Sequence, residues 1–191
     1  MDLKSEISRA LKTLNEGGIL LYPTDTIWGI GCDATNAKAV DKIFSIKKRG
    51  AEKSMIILLD DILKLKNYIQ NIPNEALSII ETTERPLTII YPSVYREKLA
   101  ANVLAEDGSI AVRVTKDPFC KSLVQEFGKP IVSTSANVSG ENPPANFSEI
   151  SDEIKRSVDS IVQYRQEEKT SPRPSAIIRI GKSGEIEFIR K

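Results

Sequence analysis

The strongest constraint on the fold lies near the C-terminal end. Two short apolar runs, Ala176–Ile180 and Ile186–Ile189, flank Gly181-Lys182-Ser183-Gly184. That is the pattern of a closing hairpin, so at least one pair of strands is antiparallel. Upstream, strand-like and helix-like segments are interspersed along the whole chain, with no long linker and no repeat. These features imply a layered α/β (α+β) domain: one mixed, twisted open sheet flanked by helices. The 191 residues fit a single domain, 1–191.

Periodicity places the individual elements. Leu3, Ile7, Leu11 and Leu14 make one stripe of a helix over 3–16, which Gly17-Gly18 stops. Ile19–Tyr22 is a buried strand ending at Pro23, and a glycine-bearing loop over 24–31 follows. Asn36 caps a helix whose Val40, Ile43, Phe44 and Lys47 share a face. A strand is expected over Ser54–Leu59, then a helix opened by Asp60-Asp61 toward Gln70, and another from Asn74 to Thr82. Leu87–Tyr91 is a strand. Ser109–Thr115 alternates Ile110, Val112 and Val114 with Ser109, Ala111 and Arg113, as a half-buried strand does. Asp117-Pro118 starts a helix that Gly128 ends. Ile131-Val132 is a strand running into a serine-rich loop, Ser148 begins a short helix, and Ile161–Tyr164 is a strand. Residues 166–174, QEEKTSPRP, read as a lid-like segment.

The chain has no histidine. That excludes Ser-His-Asp and Cys-His nucleophile systems and histidine-ligated zinc. Cys32 and Cys120, far apart in sequence, are too few for a disulfide framework or a structural zinc site, which points to reduced thiols in the cytoplasm. No signal peptide opens the chain, and no uncharged apolar stretch approaches bilayer-spanning length, so no membrane partner is expected. The net charge of +1 supplies no global field, so any anion binding must come from local clusters. Lys, Arg, acidic and hydroxyl side chains, with a substrate-borne metal, remain for the chemistry.

Three segments carry such groups. Lys47-Lys48-Arg49 with Lys53 lies between a helix end and a strand. It suits phosphate through a planar guanidinium and point-charge ammoniums, or else it only complements a helix dipole. Ser133-Thr134-Ser135-Ala136-Asn137-Val138-Ser139-Gly140 follows an apolar strand, where ligands gather in open sheets, although a plain serine-rich turn would read the same. It holds no Walker lysine and no dinucleotide fingerprint. Tyr22 through Gly31 places Trp28, the only tryptophan, among hydroxyls, a carboxylate and glycines, as a pocket wall or a ring-anchored turn.

In combination these segments resemble the YrdC/TsaC family of threonylcarbamoyl-AMP synthases. The family's P-T-E-T-x-Y/F-G-L-G segment is matched by Pro23-Thr24-Asp25-Thr26-Ile27-Trp28-Gly29-Ile30-Gly31, its K-x-R by Lys47-Lys48-Arg49, and its S-x-N by Ser135-Ala136-Asn137. Ala111-Val112-Arg113 and Gly128-Lys129-Pro130 match further stretches, in order, over nearly the whole chain. The resemblance implies an enzyme of the nucleotidyltransferase class that converts L-threonine, bicarbonate or CO2, and ATP with Mg2+ into threonylcarbamoyl-AMP and pyrophosphate. The product would pass to the tRNA threonylcarbamoyl-transfer machinery. Carried over by position, Thr26, Arg113, Ser133 and Ser175 would bind threonine. Lys47, Arg49, Lys53, Ser109, Ser135, Asn137, Pro143 and Arg190 would bind ATP, with Arg49, Lys53 and Ser135 closest to the reaction. Threonine's amine is itself the nucleophile toward CO2, so no histidine is needed.

This chain departs from the family pattern at Asp25 (usually Glu), Trp28 (Tyr or Phe), Gly50 (Pro), Leu58 and Ala176 (polar), and at Thr83–Thr88, TERPLT in place of W-P-G-P-L-T. The competing reading is an RNA-binding module without adenylation, with RNA held weakly on the basic concave face. The near-zero net charge and the absence of aromatics interleaved with basic residues count against it. A carbamoyl-transfer domain of hydrogenase maturation, a second enzyme on the scaffold, usually sits inside a much longer chain.

Overall fold

The structure is a computed structural model that describes residues 2–48, 55–169, 174–181 and 183–190. Its strands are β1 (Leu20–Tyr22), β2 (Gly29–Gly31), β3 (Ile56–Leu59), β4 (Leu87–Tyr91), β5 (Ile110–Val114), β6 (Ile131–Ser135), β7 (Ser160–Ile161), β8 (Ala176–Ile180) and β9 (Ile186–Arg190). Its α-helices are α1 (Leu3–Asn15), α2 (Ala37–Lys47), α3 (Asn74–Thr82), α4 (Pro118–Phe127) and α5 (Asp152–Ser157). Among the described residues no helix is long and apolar enough to cross a membrane.

Local signals set most helix ends. Gly17, at φ 72°, takes the left-handed position after α1 that a side chain would resist. Asn36 Oδ1 accepts from Ala39 N at 3.2 Å to start α2. Asp117 Oδ1 accepts from Cys120 N at 2.9 Å beside Pro118, and α4 stops at Gly128.

Among the described residues, nine strands form one mixed sheet in the order β7-β1-β2-β6-β3-β5-β4-β8-β9. β3–β5, β4–β8 and β1–β7 pair in parallel, and the other neighbours are antiparallel. The pleat then sorts side chains between two faces. Ile57, Leu59, Ile89, Tyr91, Ile110, Val112, Val132, Ile178 and Ile180 point to the larger core, which Val40 and Ile43 of α2 help to fill. On the opposite face, Leu20, Tyr22, Leu58 and Ile131 are covered by the packed pair α1 and α4. Beyond that pair the same face carries Ile56, Thr88, Ile90, Ala111, Arg113, Ser133 and Ile177, and there the sheet lines a cavity.

Several elements differ from the sequence expectation. The segment read as a loop over 24–31 contains β2, because two glycines of the three residues erase the alternation that marks a strand. The helix expected after Asp60-Asp61 is a 3₁₀ helix, Ile62–Asn67. Ile62 and Leu65 turn inward three positions apart, the period of that tighter helix, with Tyr68 following at its C-cap and Leu63 left exposed. β6 continues through Ser135, since its serines face the cavity rather than a turn. Ser148 lies in a 3₁₀ turn, and Ser151 caps α5 instead, accepting from Ile154 N at 3.4 Å. The strand expected over 161–164 is only the short β7.

Candidate active site

The uncovered part of the sheet is the floor of a cavity of about 360 Å³, within the size range of small-molecule sites. Arg113 stands at its centre, buried to 5% exposure because β5 turns alternate residues to this face. Its guanidinium is engaged on every side. Nη1 donates to Asp25 Oδ1 at 2.9 Å and to Thr26 Oγ1 at 3.2 Å. Nε donates to Thr88 Oγ1 at 3.2 Å, and Nη2 donates to Ser175 Oγ at 3.0 Å. Of the five guanidinium hydrogens, one on Nη2 remains for a ligand. The Asp25 partner is therefore a counter-ion held behind the floor. Burial pushes its carboxyl above the ordinary aspartate value, against the pull of Arg113.

Arg190 joins this cluster through an irregularity in the sheet. Ile178 pairs with Phe188, but Ile177 pairs with Arg190, so Ile189 is the extra residue of a bulge. A regular ladder would set Ile189 opposite Ile177 and turn Arg190 to the other face. The bulge brings Arg190 to the cavity, where Nε donates to Ser175 O at 2.9 Å and Nη2 to Ser175 Oγ at 3.3 Å. Burial, and then the charge of Arg113, lower its pKa from the ordinary arginine value. Two guanidiniums thus share one serine with a single carboxylate behind them, an excess of positive charge that suits an anion.

The rim opposite is formed by Ser133, Thr134 and Ser135 at the end of β6, with Trp28, Gly29 and Pro143. Trp28 packs on Phe147 with ring centroids 4.8 Å apart, and its carbonyl accepts from Ala136 N at 3.0 Å. Lys47 fixes the rest of this loop. It is 2% exposed, and Nζ donates to Ser135 O at 2.6 Å, Asn137 O at 2.8 Å and Ser135 Oγ at 3.4 Å.

The structure thus gathers Thr26, Arg113, Ser133, Ser135, Pro143, Ser175 and Arg190 around one cavity. It does not bring the remaining expected residues there in the same way. Lys47, expected among the ATP contacts, spends its charge on the loop that carries Ser135. Ser109 is buried just before β5, on the same pleat face as Ala111 and Arg113 but outside the cavity lining. Asn137 turns its amide to Val138 O and Glu141 O, at 3.0 and 2.7 Å. Arg49 and Lys53 lie outside the described residues, as do Gly50 and residues 170–173 of the segment read as lid-like. Sequence reasoning missed Asp25 as the partner of Arg113 and gave Thr88, the last residue of the TERPLT stretch, no role. A hydroxyl residue between Leu87 and Ile89 in an apolar strand was the available signal. Among the described residues no group of three or more His, Cys, Asp or Glu could hold a metal ion.

Fold and site together define an α/β domain with a cavity, bordered by two arginines, on an open mixed sheet. The family model Sua5_yciO_yrdC, described as "Telomere recombination", matches residues 12–191. The chain belongs to this Sua5/YciO/YrdC family. It is 37% identical over 152 residues to the threonylcarbamoyl-AMP synthase of Pseudoalteromonas translucida, covering 78% of this chain and 80% of that protein. It is 30% identical to the Stenotrophomonas maltophilia synthase of the same name, covering 94% of this chain and 96% of that one. Among solved structures, P. abyssi Sua5 complexed with L-threonine matches with a TM-score of 0.81 at 24% identity, covering all of this chain. The chain spans about half, 54%, of that Sua5 chain, and this likeness is one of fold.

Proposed function

We infer that this chain is a threonylcarbamoyl-AMP synthase, which makes threonylcarbamoyl-AMP and pyrophosphate from L-threonine, bicarbonate or CO2, and ATP. The observation that carries the reading is the buried Arg113–Ser175 pair with the more exposed Arg190 beside it, backed by Asp25 and faced by the Ser133–Ser135 rim. An amino-acid carboxylate is matched there by the last Nη2 hydrogen of Arg113, and Arg190, which the resemblance gives to ATP, instead offers the same carboxylate the hydrogens that Ser175 leaves unused. Thr26 Oγ1 supports threonine's hydroxyl or amine. Thr24 Oγ1 donates to Ile27 O at 2.7 Å, so Thr26 donates to Thr24 at 3.1 Å, accepts from Arg113, and keeps one lone pair for the substrate.

The threonine nitrogen adds to CO2 and loses a proton to give a carbamate. A carbamate oxygen then bonds to the α-phosphorus of ATP as the bond to the β-phosphate oxygen breaks, and pyrophosphate leaves. Mg2+ carried in with ATP would offset charge on the departing pyrophosphate. Ser135, fixed by Lys47, offers its hydroxyl on the nucleotide side of the cavity. We place the reaction in the cytoplasm, consistent with the two buried, unpaired thiols, and place its product upstream of threonylcarbamoyl transfer to tRNA.

The test mixes the protein with ATP, Mg2+, bicarbonate and single amino acids and measures pyrophosphate. Release is expected only when threonine and bicarbonate are both present, and a chelator should abolish it. Pyrophosphate formed at the same rate without threonine would remove the assigned substrate.

A further inference from the structure

Thr88 is a buried threonine in an otherwise apolar strand, Leu87–Tyr91. A valine has nearly its shape and suits a strand at least as well, whereas a buried hydroxyl is costly unless it is bonded. Thr88 sits one step beyond the Ile89–Val112 pair, which sets it directly across from Arg113. Its oxygen lies 3.2 Å from Arg113 Nε and 3.1 Å from Ser175 Oγ.

Counting hydrogens fixes the direction of these bonds. Ser175 Oγ accepts from Nη2 of Arg113 at 3.0 Å and from Nη2 of Arg190 at 3.3 Å, which uses both lone pairs. The Ser175 hydrogen therefore goes to Thr88, and Thr88 Oγ1 accepts from both Ser175 and Arg113 Nε. The two hydroxyls, bonded to each other, hold the Nε–Nη2 edge of the guanidinium in a closed ring. Asp25 and Thr26 hold Nη1 on the other side, so the plane of Arg113 is fixed and its remaining hydrogen is aimed. Removing the Thr88 oxygen strands Nε and also leaves the Ser175 hydrogen without its acceptor. Thr88 is itself fully buried, so it acts through Arg113 and Ser175.

We propose that Thr88 is a positioning residue for threonine binding, acting as the acceptor that orients Arg113 and Ser175. The proposal builds on the reading of this cavity as a threonine site. Its test is steady-state pyrophosphate release with threonine and ATP varied separately. Thr88→Val should raise the threonine KM at least tenfold and leave the ATP KM within about threefold, and Thr88→Ser, which keeps the oxygen, should stay within about threefold of wild type for both. A purely structural role would instead lower the melting temperature and the active fraction, reducing kcat with both KM values unchanged, and that outcome overturns the proposal. So does Thr88→Ser losing as much as Thr88→Val, because then the methyl packing matters and not the oxygen. If Thr88→Val does not fold, Thr88→Cys replaces it, since a thiol is a weak acceptor. A raised threonine KM in that variant supports the proposal, and a wild-type value overturns it. Failure of the underlying reading looks different: wild-type release would then be indifferent to threonine.

Discussion

Asp25 illustrates how one residue is set between stability and function. It pairs with Arg113 at 2.9 Å, yet burial raises its pKa from the ordinary value of 3.8. A carboxyl with a raised folded pKa binds its proton more tightly in the folded chain than in the unfolded one. Its contribution to stability is complete below the unfolded value and is lost as pH rises through the folded value. Asp25→Asn should therefore gain on wild type in unfolding free energy as pH climbs from 3.8 through the raised value, after which the gap is constant. Urea unfolding of both proteins over a pH series measures this, and a gap that does not change with pH would contradict it. The same substitution keeps an oxygen acceptor for Arg113 but removes the negative charge behind it, so the cavity becomes more positive and threonine affinity at neutral pH should rise, which a threonine titration checks. Asp25 was visible as a motif residue, but its partner 88 positions away was not. Lys47 shows the same limit. Its place on the buried face of α2 was legible from period, but the carbonyls it binds come from a strand end that only folding brings near.

Among the elements, β2 and β9 are the ones that local pattern describes worst, and both border the cavity. β2 is nearly all glycine because its neighbours leave no room. A Cβ on Gly31 would meet the Val132 carbonyl and come within 2.8 Å of the Tyr22 ring. Gly31→Ala should cost about 3 kcal/mol, as overpacking beside immovable backbone does. Gly184, at φ 91° with nothing near its Cβ, should cost only about 1 kcal/mol for the same change. Chemical denaturation of the two variants checks the ranking, and equal losses would refute the close-approach argument. In β9 the bulge at Ile189 decides which face Arg190 occupies. A period-two reading of Ile186–Arg190 assigns Arg190 to the face of Phe188, because alternation carries no mark of an inserted residue.

At the scale of the whole molecule, the cavity joins both halves of the sheet. Its lining comes from β2, β3 and β6 on one side and from β4, β5, β8 and β9 on the other. A ligand seated there touches strands that are far apart in sequence and should be lost on unfolding. Binding to the folded chain alone stabilises it by about 2.7 kcal/mol at a hundredfold excess over Kd. For a domain of this size that corresponds to a melting-point rise of roughly 5–10 °C. Differential scanning fluorimetry with ATP and threonine together should show it, and no shift at saturating ligand would mean the site does not span the sheet.

Length, alternation and the glycine hairpin determined a mixed α/β sheet, and the helix caps at Asn36 and Asp117 determined where helices begin. These are short-range effects, set by steric preference and hydrogen bonds within a few residues. The absence of histidine likewise limited the chemistry before any fold was known. What only the tertiary structure decided is which charges are spent and which are offered. Arg113 is largely saturated by Asp25, Thr26, Thr88 and Ser175, Lys47 is consumed by the serine loop, and Arg190 is delivered by a bulge. Each of these outcomes depends on pairing between strands whose register is fixed by burial of one whole face, a condition that no local window of sequence contains.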